Sequence, residues 1–339
     1  MRRMSLLVLL LALGAFAPTA RAQVIETARG RVEFIGLKSW TPEMIYTKLG
    51  YDSLDKMHHC AALLKDKLGF ADASVNNYVT TLADLGDGEK LYTVITVVEP
   101  GDAGQVQYKP KPTKSIATPA EWGSFSQAIA RQNISKVGYE LQFYAGTFKN
   151  AIQLDAASAP PPKQTPGWWG LLQQLRGKRD YETALKVLSG DQDPRKRRVA
   201  ALILTNFAGR DKAWSALMEG VRDGDQGVVV ICTSALFTLT RYVPRTVDWS
   251  PAAESLRHLL NGTDLFALPQ VLRTLSKTSV SHRLAKPLLR NGGGRMLLPY
   301  LRAQHEDERT LSHGLLARLS GKDFGYDDAR WAAWMASIN

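Results

Sequence analysis

From Arg31 onward the chain changes hydrophobic rhythm several times, and each change predicts an element. Arg31-Val32-Glu33-Phe34-Ile35 reads as a strand stopped by Gly36. Thr41-Pro42-Glu43 has the order of a helix N-cap, a proline at the first helical position and an acid near the positive helix end. After Ser53, the residues Leu54, Met57, Ala61, Leu64 and Leu68 recur at three- and four-residue spacing. That spacing puts them on one face of a single helix, which Gly69 is placed to end. Two β-rich stretches follow, around Val75–Leu82 and Leu91–Val98, with Gly86-Asp87-Gly88 as the turn between them. The order over residues 31–99 is β-α-α-β-β.

The pattern over residues 100–154 is a loop and helix extension. Gly101–Thr118 is rich in lysine and proline and reads as a loop. Thr118-Pro119-Ala120-Glu121 predicts a capping box, in which the cap hydroxyl and the N3 carboxylate satisfy each other's backbone donors. Trp122, Phe125 and Ile129 give the ensuing helix an apolar stripe. From Ser135 to Leu154 periodicity does not separate strand from helix. Asp155–Gly167 combines small residues with four prolines, which lack a backbone donor and fix their own torsion, and predicts an extended linker.

From residue 168 to residue 339 the pattern is helical and short in period. Asp180–Leu188 makes one helix, broken at Ser189-Gly190-Asp191, and Asp193-Pro194 opens the next, with Val199, Leu202, Ile203 and Phe207. Trp214, Leu217 and Val221 begin a second pair, whose second helix follows Asp225 and holds Val228, Ile231, Ala235, Leu236 and Leu239. Asp191 and Asp223, Ala200 and Cys232, and Leu204 and Leu236 each stand 32 positions apart, near the period of helix-pair solenoids. Pro251–Lys277 and Ser281–Ser320 read as further pairs, with Asn291-Gly292-Gly293-Gly294 as a break.

Two stretches resemble known families. The β-α-α-β-β order, with Phe34-Ile35-Gly36 and Leu68-Gly69-Phe70 at its joints, resembles a POTRA-type domain over residues 31–99. That resemblance implies a module outside the inner membrane that binds client chains. Asp191-x-Asp193-Pro194-Arg195-Lys196-Arg197-x-x-Ala200-x-x-x-Leu204 resembles the inner-helix signature of HEAT repeats, although the second copy has Val229 where the first has Arg197. The tail from Leu319 to Asp327, with Trp331 and Trp334, resembles the ends of exported bacterial HEAT-repeat proteins and implies a cap on the last helix face. The expected fold class is thus an α+β domain followed by an all-α HEAT-like solenoid.

Composition and the N-terminus say where such a protein works. Arg2 and Arg3 precede an apolar run from Leu6 to Ala17, and Ala20-Arg21-Ala22 offers a cleavage pattern, so residues 1–22 read as a secretory signal. The run is too short for a membrane span and no later stretch is long enough, so export to the periplasm or cell envelope without a membrane anchor is expected. Net charge is +11, falling to +8 once Arg2, Arg3 and Arg21 are removed. This favours anionic partners such as an envelope surface, and nucleic acid is a poor match outside the cytoplasm. The two cysteines, Cys60 and Cys232, form no disulfide framework.

Little in the sequence converges on chemistry, so no catalytic, cofactor or metal residue is assigned. His58 and His59 are adjacent, point about 100° apart on a helix, and read as surface histidines beside a partly buried thiol. Ser53-Leu54-Asp55-Lys56 matches a Ser-x-x-Lys pattern without its companion motifs, and Ser53 serves as an N-cap instead. Arg195-Lys196-Arg197-Arg198 places four cations in a first helical turn, against the helix dipole. These four residues are the expected contact for an anionic partner, with Asp191 and Asp193 as nearby counter-charges. The leading reading is a non-catalytic scaffold that binds protein partners. The rival is an envelope enzyme or carbohydrate-binding protein with its site near Trp122, Trp168 and Trp169 in the 100–169 region.

Overall fold

The computed structural model describes residues 23–79, 91–147, 166–243 and 245–338. The expected signal at 1–22, the turn at Gly86-Asp87-Gly88 and nearly all of the linker at 155–167 lie outside these residues. The chain forms a small mixed four-stranded sheet followed by a mostly helical, repeat-like region.

The sheet runs β1 (Gln23–Thr27), β2 (Gly30–Ile35), β3 (Asp72–Val79) and β4 (Leu91–Val98), in the spatial order β1-β2-β4-β3. β1 and β2 form an antiparallel hairpin, β2 and β4 are parallel, and β3 and β4 are antiparallel. β1 had no counterpart in the sequence reading; it holds its place by pairing with β2. Between β2 and β3 lie α1 (Pro42–Leu49) and α2 (Ala61–Leu68), which cross one face of the sheet. Thr41 Oγ1 accepts the Met44 N–H and Gly69 ends α2 at positive φ, as the sequence predicts, and Gly50 ends α1 in the same way.

The expected single helix from residue 54 to residue 68 is instead two elements. A 3₁₀ turn (Leu54–His59) capped by Ser53 precedes α2, with the break at Cys60. The tighter winding accompanies burial of both Met57 and His58. His58 is fully enclosed rather than on the surface, and its ring bridges Thr27 Oγ1 (2.9 Å) and Thr93 Oγ1 (2.5 Å).

Alternation along the strands gives the sheet two buried faces. Val32, Phe34, Ile95 and Val97 pack with Ile45, Met57, Cys60 and Leu64 beneath α1 and α2. Ile35, Val94 and Val98 point the other way, into the core of the helical region. Buried polar groups stitch that second face to the helices. The Glu33 carboxylate accepts the N–H groups of Gln304 and His305, Asp72 accepts the Leu265 N–H, and Tyr78 donates to Glu308.

The ambiguous stretch is helical from Ser135 to Thr147, and its remainder, 148–154, lies outside the described residues. α3 (Trp122–Ala130) and α4 (Ile134–Thr147) share a core with α5 (Gly167–Gln174), α6 (Lys178–Gly190), α7 (Pro194–Leu204), α8 (Asp211–Gly220) and α9 (Gln226–Tyr242). Helices on both sides of the proline-rich stretch therefore pack together. The capping box before α3 does not form. Carbonyls of Pro119 and Ala120 accept the Trp122 and Gly123 N–H groups instead, and Glu121 makes no side-chain cap.

α10 (Ala253–Leu260) and α11 (Leu268–Lys277) follow as expected. The pair expected over Ser281–Ser320 becomes three helices: α12 (Ala285–Leu289), α13 (Leu297–Leu301) and α14 (Glu306–Ser320). The glycine run makes the expected break, between α12 and α13, where Asn291, Gly292 and Gly294 have positive φ; the extra one falls between α13 and α14, at Arg302–His305. A Cβ on Gly293 would lie 2.1 Å from the Leu288 carbonyl oxygen. α15 (Asp328–Ala336) closes the end by burying Trp331 against Phe324 and Trp334.

The loop after β4 is not a free excursion. It begins with a 3₁₀ turn (Pro100–Gln105) and then lies along the helix-pair turns. The Gln107 carbonyl accepts from the Arg222 guanidinium, Lys109 N–H donates to the Arg222 carbonyl, and Ile116 N–H donates to Asp191 Oδ2. This strap satisfies its own backbone and that of the turns it crosses.

Candidate functional site

The site builds outward from Asp193-Pro194. Asp193 caps α7 by accepting the Arg195 N–H at 2.8 Å, and Pro194 occupies the first turn, where a missing donor costs nothing. The next four side chains fan out in different directions because neighbours on a helix are 100° apart. Each of these four cations meets an aspartate.

Arg195 folds back on Asp193 at 3.0 Å and stays largely exposed, with 76% of its side chain accessible. Lys196 reaches Asp191 at 3.3 Å and the Ile116 carbonyl at 3.0 Å. Arg198 grips Asp225, the N-cap of α9, at 2.8 Å. Arg197 turns inward, donating from Nε and Nη2 to the two oxygens of Asp223 and from Nη1 to the Asp191 carbonyl, all at 2.7 Å. The patch thus keeps the expected counter-charges Asp193 and Asp191 and adds two rungs, Arg197–Asp223 and Arg198–Asp225, that bridge successive helix pairs. The ion pair with Arg195 holds the Asp193 carboxyl below the usual carboxylate range and raises Arg195 in turn.

Asp191 and Asp223, 32 positions apart, do the same local work. Oδ1 of each accepts the N–H two residues on, at 2.8 Å in both cases. Val229, at the position equivalent to Arg197, is buried and apolar, so the ladder does not extend through it.

Arg195, Lys196 and Arg198 rim an open cleft of about 300 Å³ between α3 and α7, whose apolar lining includes Ile129, Ala130, Ile134 and Val199. Arg197 is not part of it. The cleft contributors on α3 and α4 escaped the sequence reading as site residues. Ile129 was legible only as one position of an apolar stripe, and its juxtaposition with residues about 70 positions later carries no local signal.

Other candidates resolve differently. Trp122 and Trp168 are closed inside the core, their indole N–H groups donating to Asp180 (2.7 Å) and Glu140 (2.8 Å). Trp169 is 5% exposed and lines a second cavity of about 440 Å³. His305 stacks on Tyr78 with ring centroids 3.9 Å apart, while His313 pairs with Asp323. Ser53 accepts the Asp55 N–H and Lys56 pairs with Asp52, so the Ser-x-x-Lys residues serve separate local roles. Cys232 is buried against Gly220, where an added Cβ would come 2.5 Å from its sulfur. Among the described residues, no group of three or more His, Cys, Asp or Glu side chains comes together to hold a metal.

Fold and cleft together define a class: a small mixed sheet seated on a helical, repeat-like body with an open, basic-rimmed surface cleft. No family model and no curated protein matches the chain. Among solved structures, a crystal structure of an engineered protein is similar at TM-score 0.37 and 15% identity, covering 65% of this chain and 86% of that one. A likeness at that level carries no argument about function. Among the described residues, no helix is long and apolar enough to cross a membrane.

Proposed function

We propose that the protein is a non-catalytic scaffold of the bacterial cell envelope that holds a protein partner at the cleft between α3 and α7. The observation that carries this reading is the cleft itself, where apolar residues meet the exposed Arg195. An apolar floor supplies area-proportional burial, and a charged rim supplies steering and register. The partner it suits is a polypeptide segment with an apolar anchor beside an acidic residue. Export rests on the basic, apolar and small-residue pattern of residues 1–22. The HEAT-like reading rests on the matched Asp191 and Asp223 turns and the Arg197–Asp223 rung; the POTRA-like reading rests on the β-α-α-β-β order over 31–99.

The ladder dictates how the reading is tested. Neutralising all four cations would also break the buried rung, so the variants should spare Arg197. A photo-crosslinking residue at Gln127, in the cleft, is expected to trap a reproducible protein adduct in the native envelope, and one at the exposed Glu182 is not. Ala130→Glu, at an exposed cleft position, combined with Arg195→Glu should abolish the Gln127 adduct while circular dichroism stays unchanged. Equal labelling at both positions, or an adduct indifferent to the double substitution, would reject the cleft as the partner site.

A further inference from the structure

The second cavity has the chemistry of a small-ligand site, independent of the scaffold cleft. It is a half-open cavity of about 440 Å³ between α4, α5, the turn after α7 and the end of α9. That size lies within the range of pockets that bury small organic ligands, roughly 300–1,000 Å³. Its walls are largely apolar and aromatic: Leu141, Trp169, Leu239, Tyr242 and Val243.

Two polar features give this space a direction. Within it, Thr238 is only 3% exposed, and its Oγ1 has no hydrogen-bond partner among the described residues. A buried hydroxyl left unpaired costs about 1–3 kcal/mol, a cost that a ligand hydroxyl or carbonyl would remove. At the exposed side, Arg176 is the one charged residue among those lining the cavity. Its guanidinium contacts only the neutral amide of Gln173 and forms no ion pair among the described residues. Asn206 spends its amide on the carbonyls of Leu172 and Leu175, at 2.8 and 3.0 Å. It therefore pins the end of α5, and with it the Trp169 wall, against the α7 turn.

We infer that this cavity binds a small amphipathic carboxylate, its apolar body against Trp169, Leu239 and Tyr242 and its carboxylate at Arg176. Charge selects the anion: the lining offers a single cation and no anion, so a cationic amphiphile gains nothing at the mouth. The apolar walls exclude a free inorganic anion or a bare sugar acid, which would be desolvated without compensation.

Isothermal titration of the whole chain with octanoate and with octan-1-ol tests the assignment. Octanoate should saturate a single site, with octan-1-ol bound about two- to fivefold more weakly, the range for one solvent-accessible ion pair. Arg176→Gln should remove that difference by weakening octanoate alone, and Leu239→Trp, which fills the cavity, should remove both. If Leu239→Trp fails to fold by circular dichroism, the exposed Arg176→Gln variant decides the question by itself. Absence of saturable octanoate binding, equal affinity for the two probes, or an Arg176→Gln variant that keeps the preference would each overturn the inference.

Discussion

Arg197 and Asp223 face each other as a two-point ion pair, with both nitrogen–oxygen distances at 2.7 Å and both side chains less than a tenth exposed. The pair joins the first turn of α7 to the turn before α9, and the Asp191 carbonyl occupies the remaining side of the guanidinium. It is the point where two helix pairs are locked in register.

Removing one partner should therefore cost far more than replacing both. Asp223→Ala leaves a buried guanidinium uncompensated, and a loss of about 3–5 kcal/mol is expected in chemical denaturation. Arg197→Met with Asp223→Leu should recover most of that loss, because two apolar groups need no desolvation. A double variant no more stable than Asp223→Ala would mean that the rung acts through its geometry rather than its charge balance.

Glu308 makes the seam between sheet and helices sensitive to pH. Its carboxyl is fully buried, accepts from Tyr78 on one oxygen and has no hydrogen-bond partner on the other among the described residues. Burial pushes it up to about 7, although the Tyr78 hydroxyl and Arg273 pull it down. The folded protein thus holds this proton more tightly than the unfolded chain. Stability from Glu308 is greatest below its unfolded value near 4.5 and falls as pH rises to about 7, by on the order of 3 kcal/mol. Subtracting the urea stability of Glu308→Gln from that of the parent between pH 4.5 and 7.5 should isolate the slope. A difference that does not change across this window would refute it.

Gly30 turns the β1–β2 hairpin with φ at 128°, and an added Cβ would stand 2.0 Å from the Leu91 carbonyl oxygen. The contact is backbone, so no side chain can move aside. Gly30→Ala should cost roughly 1–3 kcal/mol, read as a lower thermal midpoint, and should loosen β1 first. Amide exchange at Val24 and Glu26 reports that directly.

Both cysteines are shut away as free thiols, and burial raises each, Cys60 to about 12. Neither should react with a disulfide reagent at pH 8 in the native state, and both should react promptly in denaturant. The thiol count in denaturant should be two without added reductant. Fast labelling of Cys232 in the folded protein would contradict the packing of α9 against Gly220.

The local signals in the sequence were the reliable ones. Thr41, Ser53, Asp193 and Asp225 announced helix starts because a cap acts within three residues of itself. Gly69, at positive φ, marks where the second helix stops. The 32-residue offset exposed the matched turns at Asp191 and Asp223 because each bonds its own backbone. The capping box at Thr118 did not form because α3 begins only at Trp122, with Glu121 itself at the cap position, and the N–H groups of Trp122 and Gly123 go to the carbonyls of Pro119 and Ala120.

What the tertiary structure alone decided is everything that depends on distant partners. Arg195 and Lys196 meet Asp193 and Asp191 a few residues away, whereas Arg197 and Arg198 read as open because Asp223 and Asp225 are a full helix pair away in sequence. Trp122 and Trp168 read as possible plates for a ligand until Asp180 and Glu140 took their N–H groups inside the core. The second buried face of the sheet, and both cavities, exist only where separated segments meet. Sequence determines which side chains can be buried or charged; which of them find partners is set by packing, since a buried charge persists only where another residue arrives to compensate it.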